Sequence, residues 1–406
     1  MRIFILLFAF ACLAFAGCTP KNKVEWVKWR GPTINNVSPD KSLDPAQLDS
    51  SSVIWRSDVG FGHSSVSVKG KYCYTCGWKE TFAENDTSRL LSIVCMDIET
   101  GRAVWETKYP AEKNRFPGPR STPVIDDNRL YSINWDGKMV CLNIKNGEEL
   151  WSLNLATDSL AVWDNWGFNP SPVVHNDLIL LNLNQTGLAL NKYSGEVLWT
   201  GPYGISSWAS AYLAEVEEKI CALFQADTSI FIVDVETGAV QFSYRKKSDG
   251  AINNAIVRLS DNRIYTSDEM LVLNGNQLEP VWYNDSIASF FRTGVIVGDY
   301  SYQFSDAKGK NFLYCVDLRT GAPVWRQDML GRWGNLMAVG NHLVILETFG
   351  KVLIVNASPA KYELLKDLQV LSDDPKQDNF CWVAPTFVNG KLFVRNSKGE
   401  LACIQL

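Results

Sequence analysis

The feature that most constrains this chain is a motif that returns again and again along it. An Asp or Asn is followed three residues later by Thr, Asn or Ser, then by Gly, and four residues after Gly by a large aromatic residue. Full copies run from Asp97 to Trp105, Asn143 to Trp151, Asn191 to Trp199, Asp234 to Phe242 and Asp317 to Trp325. Weaker copies pair Asn274 with Leu278 and Trp282, and Asn356 with Ala360 and Leu364. Gly101 and Gly147 stand 46 residues apart, and the equivalent positions 321 and 360 stand 39 apart. That period suits one four-stranded antiparallel sheet per repeat, arranged radially.

Each part of the motif has a physical reason. Apolar alternation before Asp/Asn marks a strand, the Asx-to-Gly stretch is a hairpin turn, and the aromatic residue falls on the next strand, the outermost of its sheet. Large aromatics there can wedge between neighbouring sheets and bury much apolar area. Trp55, Trp105, Trp151, Trp199, Phe242, Trp282, Trp325 and Leu364 are therefore expected to dock one blade on the next. The two chain ends supply the closure. Leu392 to Leu406 matches Leu130 to Ile144 without a gap and then stops one strand short, while Val53-Ile54-Trp55 has the form of Val197-Leu198-Trp199. The pattern predicts an all-β, eight-bladed β-propeller of four-stranded antiparallel blades over residues 51–406, its last blade closed by an N-terminal strand.

Met1 and Arg2 lead into an apolar run, Ile3 to Phe15, and then Ala16-Gly17-Cys18. This is the layout of a signal peptide over 1–17, and the run is short for a membrane span. Cys18 after Ala-Gly fits a lipoprotein box, although Phe15 stands where that pattern usually has Leu. Cys18 is thus the expected lipidation site, and 18–50 a tether with an N-terminal extension. The expected location is exported and membrane-anchored, at the outer membrane facing the periplasm. A net charge of −5 without a Lys/Arg run argues against a nucleic-acid partner.

Cys95, Cys141, Cys315 and Cys403 share one repeat slot, where other copies carry Ala189, Ile232, Val272 and Ile354. They read as small core residues. Cys73 and Cys76 lie on a strand with side chains on opposite faces, and Cys221 and Cys381 cannot be paired from the sequence. Three scattered histidines give no transition-metal set.

In a propeller the entry to each innermost strand rims the central funnel. Alignment places His63, Arg120, Asn169, Trp208, Asn253, Arg292, Trp333 and Trp382 there, as candidates for stacking on and hydrogen-bonding a small polar ligand. The alternative is that they only fill the funnel and satisfy loop backbone.

Trp29-Arg-Gly-Pro32 with Val37-Ser38, Gly62-His-Ser-Ser65, Gly118-Pro-Arg-Ser-Thr-Pro123 and Asn169-Pro-Ser-Pro172, beside the Asp-x-x-Thr-Gly-x-x-x-Trp repeats, carry a family resemblance. From Trp26 to Leu406 the chain resembles the quinoprotein-like propellers with pyrroloquinoline-quinone (PQQ) repeats. The resemblance implies one of two functions. One is that of the BamB-type lipoproteins of outer-membrane assembly: a non-catalytic scaffold binding envelope proteins, with no cofactor. The other is a PQQ-dependent dehydrogenase oxidising an alcohol or sugar in the funnel, which requires calcium, a carboxylate base and a stacking indole. For that chemistry Arg120 and Arg292 are available as cations, and Asp164, Asp268 and Glu269 are the nearest acids. No rim position is itself acidic, so no catalytic residue is assigned. Long insertions at Lys79 to Ser88 and Thr157 to Trp166 are the loops marked for partner contact.

Overall fold

The repeat turn folds as its residues dictate. Asp97 Oδ1 accepts from the Glu99 and Thr100 backbone N–H groups at 3.0 Å, and the Gly101 N–H closes the turn on the Asp97 carbonyl at 2.9 Å. Asn191, Asp234 and Asp317 accept from the residue two positions on in the same way. These Asx turns join the third and fourth strands of successive sheets.

The computed structural model describes residues 24–83, 86–111, 118–161, 166–204, 206–226, 228–248, 256–258, 262–289, 291–305, 311–372 and 379–406. It is an eight-bladed propeller. The first seven blades begin at Ser67, Val124, Val173, Tyr212, Val257, Val295 and Asn335, and each runs outward through four antiparallel strands. Blade eight takes three strands from the C-terminus, Thr386–Val388, Lys391–Arg395 and Glu400–Gln405, and its outermost strand, Val53–Asp58, from the N-terminus. Trp55 pairs with Cys403 and Asp58 with Glu400. The ring therefore has its covalent break inside a sheet rather than between sheets, where ladder hydrogen bonds hold it shut.

Blade docking has a repeated geometry. The indole N–H groups of Trp55, Trp105, Trp151, Trp199, Trp282 and Trp325 each donate to a carbonyl in the next blade's third-to-fourth-strand connection. The acceptors are Ile98, Ile144, Lys192, Val235, Leu318 and Ser358, at 2.8–3.1 Å. Each of the first five rings also lies on the repeat Gly of that turn: a Cβ on Gly101, Gly147, Gly195, Gly238 or Gly321 would come within 2.4–2.7 Å of it. The Gly and the Trp of the motif are thus partners across consecutive blades. Phe242 packs without an N–H against the apolar cluster it shares with Leu271 and Leu278 of blade five.

Leu364 is a correction. It is 45% exposed, and Lys366 pairs with Ile354 where other blades pair the aromatic with the slot residue. Blade eight has no covalent turn there for an aromatic to cover, and Asp49 of the N-terminal segment lies near Lys366 instead. In blade five a tighter hairpin shifts the slot from Val272 to Met270, opposite Trp282. The residue before each docking position, from Ile54 to Leu365, sits at a register shift in the outer strand, so a bulge interrupts every outer edge.

The eight cysteines among the described residues are all buried and unpaired, Cys221 and Cys381 included. Cys95, Cys141 and Cys315 lie opposite Trp105, Trp151 and Trp325, as Cys403 lies opposite Trp55. Cys73 and Cys76 face different interblade cores. Burial pushes the Cys76 thiol up to about 11, so it stays protonated and unreactive.

Residues 24–38, expected as part of an extension, form a hairpin that enters the central channel from the face bearing the Asx turns. Val24 is held by the Asn389 amide, and Trp26 exchanges backbone hydrogen bonds with Val68 of blade one. After a turn, Val37–Ser38 runs parallel to Asn335–Val339 as a fifth strand of blade seven. Arg30, 3% exposed, ties the hairpin tip by donating to the carbonyls of Ile34, Asn35, Thr293 and Gly294. Lys79 to Ser88, expected as a loop, is instead a two-stranded ribbon: blade one's middle strands, Tyr72–Ala83 and Asp86–Asp97, run past its other two. Cys18 and residues 19–23 lie outside the described residues.

Candidate functional site

The described entries to the innermost strands converge at the mouth of the ring, on the face opposite the Asx turns. Extended backbone there alternates side chains between channel and blade core. A cavity of about 100 Å³ lies below the mouth, lined by His63, Arg120, Asn169, Trp208 and Trp382 among others. Trp29 and Arg30, from the hairpin tip, contribute its floor. Five of the eight rim residues expected from the sequence therefore meet around one space.

Of the other three, Asn253 lies outside the described residues. Trp333 stands in the aromatic layer above, and its blade lines the cavity with Asn335 instead. Arg292 is a correction. Its guanidinium lies over the Phe304 ring at 4.7 Å and donates to Asn311 Oδ1 at 2.7 Å, within blade six, while Phe291 and Thr293 line the cavity. A one-residue offset on extended chain exchanges the two sides. The alignment had no way to see it, because Asp285–Ile287 form a short 3-10 turn just before that entry.

Above the cavity the aromatic rings form a continuous layer. Trp208 stacks on Phe291 at 5.6 Å and contacts Trp166 at 5.2 Å. Phe291 meets Trp333 and Trp382, Trp333 stacks on Phe380 at 5.1 Å, and Phe380 stacks on His63. Offset and edge contacts of this kind favour a rigid layer. Phe291, Phe380 and Trp166 were missed by the reading of the rim; the spacing of Phe380 and Trp382, alternate residues on one side of an extended entry, was the available signal.

The site is electropositive. Burial, with the nearby guanidiniums of Arg120 and Arg395, holds the His63 imidazole well below its usual value, so it is neutral at pH 7. Arg120 donates to the Trp166 carbonyl at 3.0 Å. Burial lowers Arg30 to about 9, which leaves it charged at neutral pH. The Asn169 amide donates to Gly167, and its Oδ1 is buried without a hydrogen-bond partner. Among the described residues, no Asp or Glu lines the cavity.

Asp164 lies outside the described residues. Asp268 and Glu269 lie in the hairpin of blade five and do not line the cavity. Burial, and then the neighbouring Glu269, push Asp268 up to about 7; Glu269 is raised too and accepts from Tyr244 Oη at 2.5 Å. Among the described residues lining the cavity, none supplies the carboxylate that a quinone with calcium would need. The described lining offers two guanidiniums and no carboxylate to a divalent cation.

A family model described as outer membrane protein assembly factor BamB matches residues 89–327 and 309–405. Among relatives of that name, the Salmonella typhimurium protein is 21% identical over 147 residues, 35% of this chain and 34% of the relative. The Shewanella oneidensis protein is 20% identical over 229 residues, 55% of this chain and 53% of the relative. The matched stretch thus spans about a third to a half of the length of these relatives. Among solved structures, BamB from Moraxella catarrhalis superposes with a TM-score of 0.63 at 15% identity, covering 87% of this chain and 97% of that one. A quinohemoprotein alcohol dehydrogenase from Comamonas testosteroni gives 0.69 at 12% identity, covering 94% of this chain and 80% of that one. At such identities these likenesses speak for the fold alone.

Proposed function

The chain belongs to the family of the outer membrane protein assembly factor BamB, and from that membership we propose that it is a non-catalytic envelope lipoprotein. It is anchored through Cys18 in the outer membrane, faces the periplasm, and presents its mouth to protein partners of outer-membrane assembly. The observation that carries this reading is the funnel. Its mouth is layered with aromatic rings, its floor is the protein's own N-terminal hairpin, and among the described residues its lining carries none of the carboxylates that quinone chemistry needs. That face also carries a projecting ribbon, Tyr72–Ala83 with Asp86–Asp97. A surface of this kind suits protein recognition.

The test is photo-cross-linking in intact cells from a probe at Leu330, which is 66% exposed beside the mouth. The expected result is a defined cross-link to an outer-membrane assembly protein, lost when residues 80–88 are replaced by a short turn. Persistence of the cross-link after that deletion would remove the ribbon from the reading. A rise in melting temperature with PQQ and Ca²⁺, together with dye-linked alcohol oxidation, would overturn the non-catalytic assignment.

A further inference from the structure

We infer that the face carrying the Asx turns is the surface apposed to the lipid bilayer, so that the funnel mouth opens away from the membrane. The inference rests on the proposed acylation of Cys18 and adds to it an orientation. Val24 is fixed on the turn face: its N–H and C=O both bond the Asn389 side chain, at 3.0 and 2.9 Å, in the first turn of blade eight. Two residues later Trp26 is locked to Val68 at 2.9 and 2.8 Å, and the Val27 carbonyl accepts from Ile125 of blade two. The chain therefore leaves the ring near its axis, on that face, at a defined point.

Six residue steps separate Cys18 from Val24, which at full extension reach roughly 20 Å. To turn the mouth toward the bilayer, the tether would have to cross the radial width of a blade and then climb its side. Four strands spaced about 4.8 Å apart take up roughly 15 Å between the first and the last, and a six-residue strand rises roughly 20 Å. That path of roughly 35 Å exceeds the tether. Reach thus rules out the mouth against the bilayer, and the exit of the chain at Val24, near the axis on the turn face, points to that face with a phospholipid surface as its occupant.

The experiment uses full-length acylated protein in vesicles containing a headgroup-linked nitroxide quencher. All described native cysteines are buried, so a single introduced thiol takes the fluorescent label. Glu236→Cys, in the exposed Asx turn of blade four, reports the turn face, and Leu330→Cys reports the mouth. Quenching at position 236 is expected to exceed that at 330 by at least about twofold, given a separation near one strand length, roughly 20 Å. Inserting about sixty Gly/Ser residues after Lys23 lets the tether span roughly 40 Å, beyond that path, and is expected to equalise the two positions. Equal or greater quenching at 330 in the uninserted protein, with the acylated mass present, overturns the orientation alone. An unmodified mass, or membrane binding unchanged in Cys18→Ala, overturns the acylation and the orientation with it.

Discussion

Replacing Gly195 by Ala isolates the joint that the ring repeats. Gly195 has φ +76°, and a Cβ there would stand 2.7 Å from Trp151 Cε3 and 2.9 Å from Cδ2. Two costs follow: about 1–2 kcal/mol for placing an L-residue in the left-handed region, and about 1–3 kcal/mol for forcing the indole out of a packed site. Gly275, in the blade-five hairpin, has φ +58° and open space around the added carbon. Gly275→Ala therefore carries the backbone cost alone, about 1–2 kcal/mol. The expected difference between the variants, about 1–3 kcal/mol, is the contact with Trp151. The assay is urea unfolding followed by both tryptophan fluorescence and far-ultraviolet circular dichroism. In a Trp151→Ala background, Gly195→Ala should fall back to the backbone cost, leaving a coupling of about 1–3 kcal/mol. Equal destabilisation by the two glycine variants, or no coupling to Trp151, would refute the view that the repeat Gly is small because an indole lies on it.

Trp325→Phe keeps an aromatic ring but removes the pyrrole half of the indole and leaves the Ser358 carbonyl without its donor at 2.9 Å, for an expected loss of about 1–3 kcal/mol in the same assay. Asp268, pushed up to about 7, holds its proton more tightly folded than unfolded. Its contribution is complete below about pH 4 and is lost as pH rises through 7, so Asp268→Asn should stabilise by on the order of 4 kcal/mol at pH 8 and little at pH 4. A gain of the same size at both pH values would contradict that linkage. Arg30→Ala removes donors from four carbonyls at the hairpin tip, and freed tip motion should be visible at the Ala338 amide, which donates to the Asn36 carbonyl at 3.0 Å. Hydrogen exchange there should quicken at least about tenfold while blade-two amides stay protected.

The ring was legible because its information is local and repeated. An Asx turn is encoded within five residues, and its copies at 97, 143, 191, 234 and 317, with the weaker ones at 274 and 356, mark seven of the eight blades. Closure was legible because Val53-Ile54-Trp55 carries the strand pattern that the end at Leu406 lacks. The channel hairpin was not, since Trp26, Arg30 and Asn36 follow no period and their partners lie in blades one, six and seven. Lys366 escaped for a related reason: its blade faces the one junction without a covalent turn, so the aromatic pattern has nothing there to cover. Where it is described, the rim was read to within two residues, which sufficed where the entry is regular, as at Asn169, and failed by one residue where a 3-10 turn precedes it, as at Arg292, and by two at Trp333.

The hairpin in the channel also sets an order of assembly. Its residues are among the first synthesised, yet Arg30 needs Thr293 and Gly294, Asn36 needs Leu336, Ser38 needs Phe387 and Val24 needs Asn389. Until blades six to eight exist the segment has few partners, and contacts so distant in sequence form late because loop closure opposes them. The first part of the chain is thereby the last to settle. A bound hairpin marks a finished ring, and an incomplete or nicked ring leaves Trp26 and Trp29 in reach of whatever surveys unfolded chains.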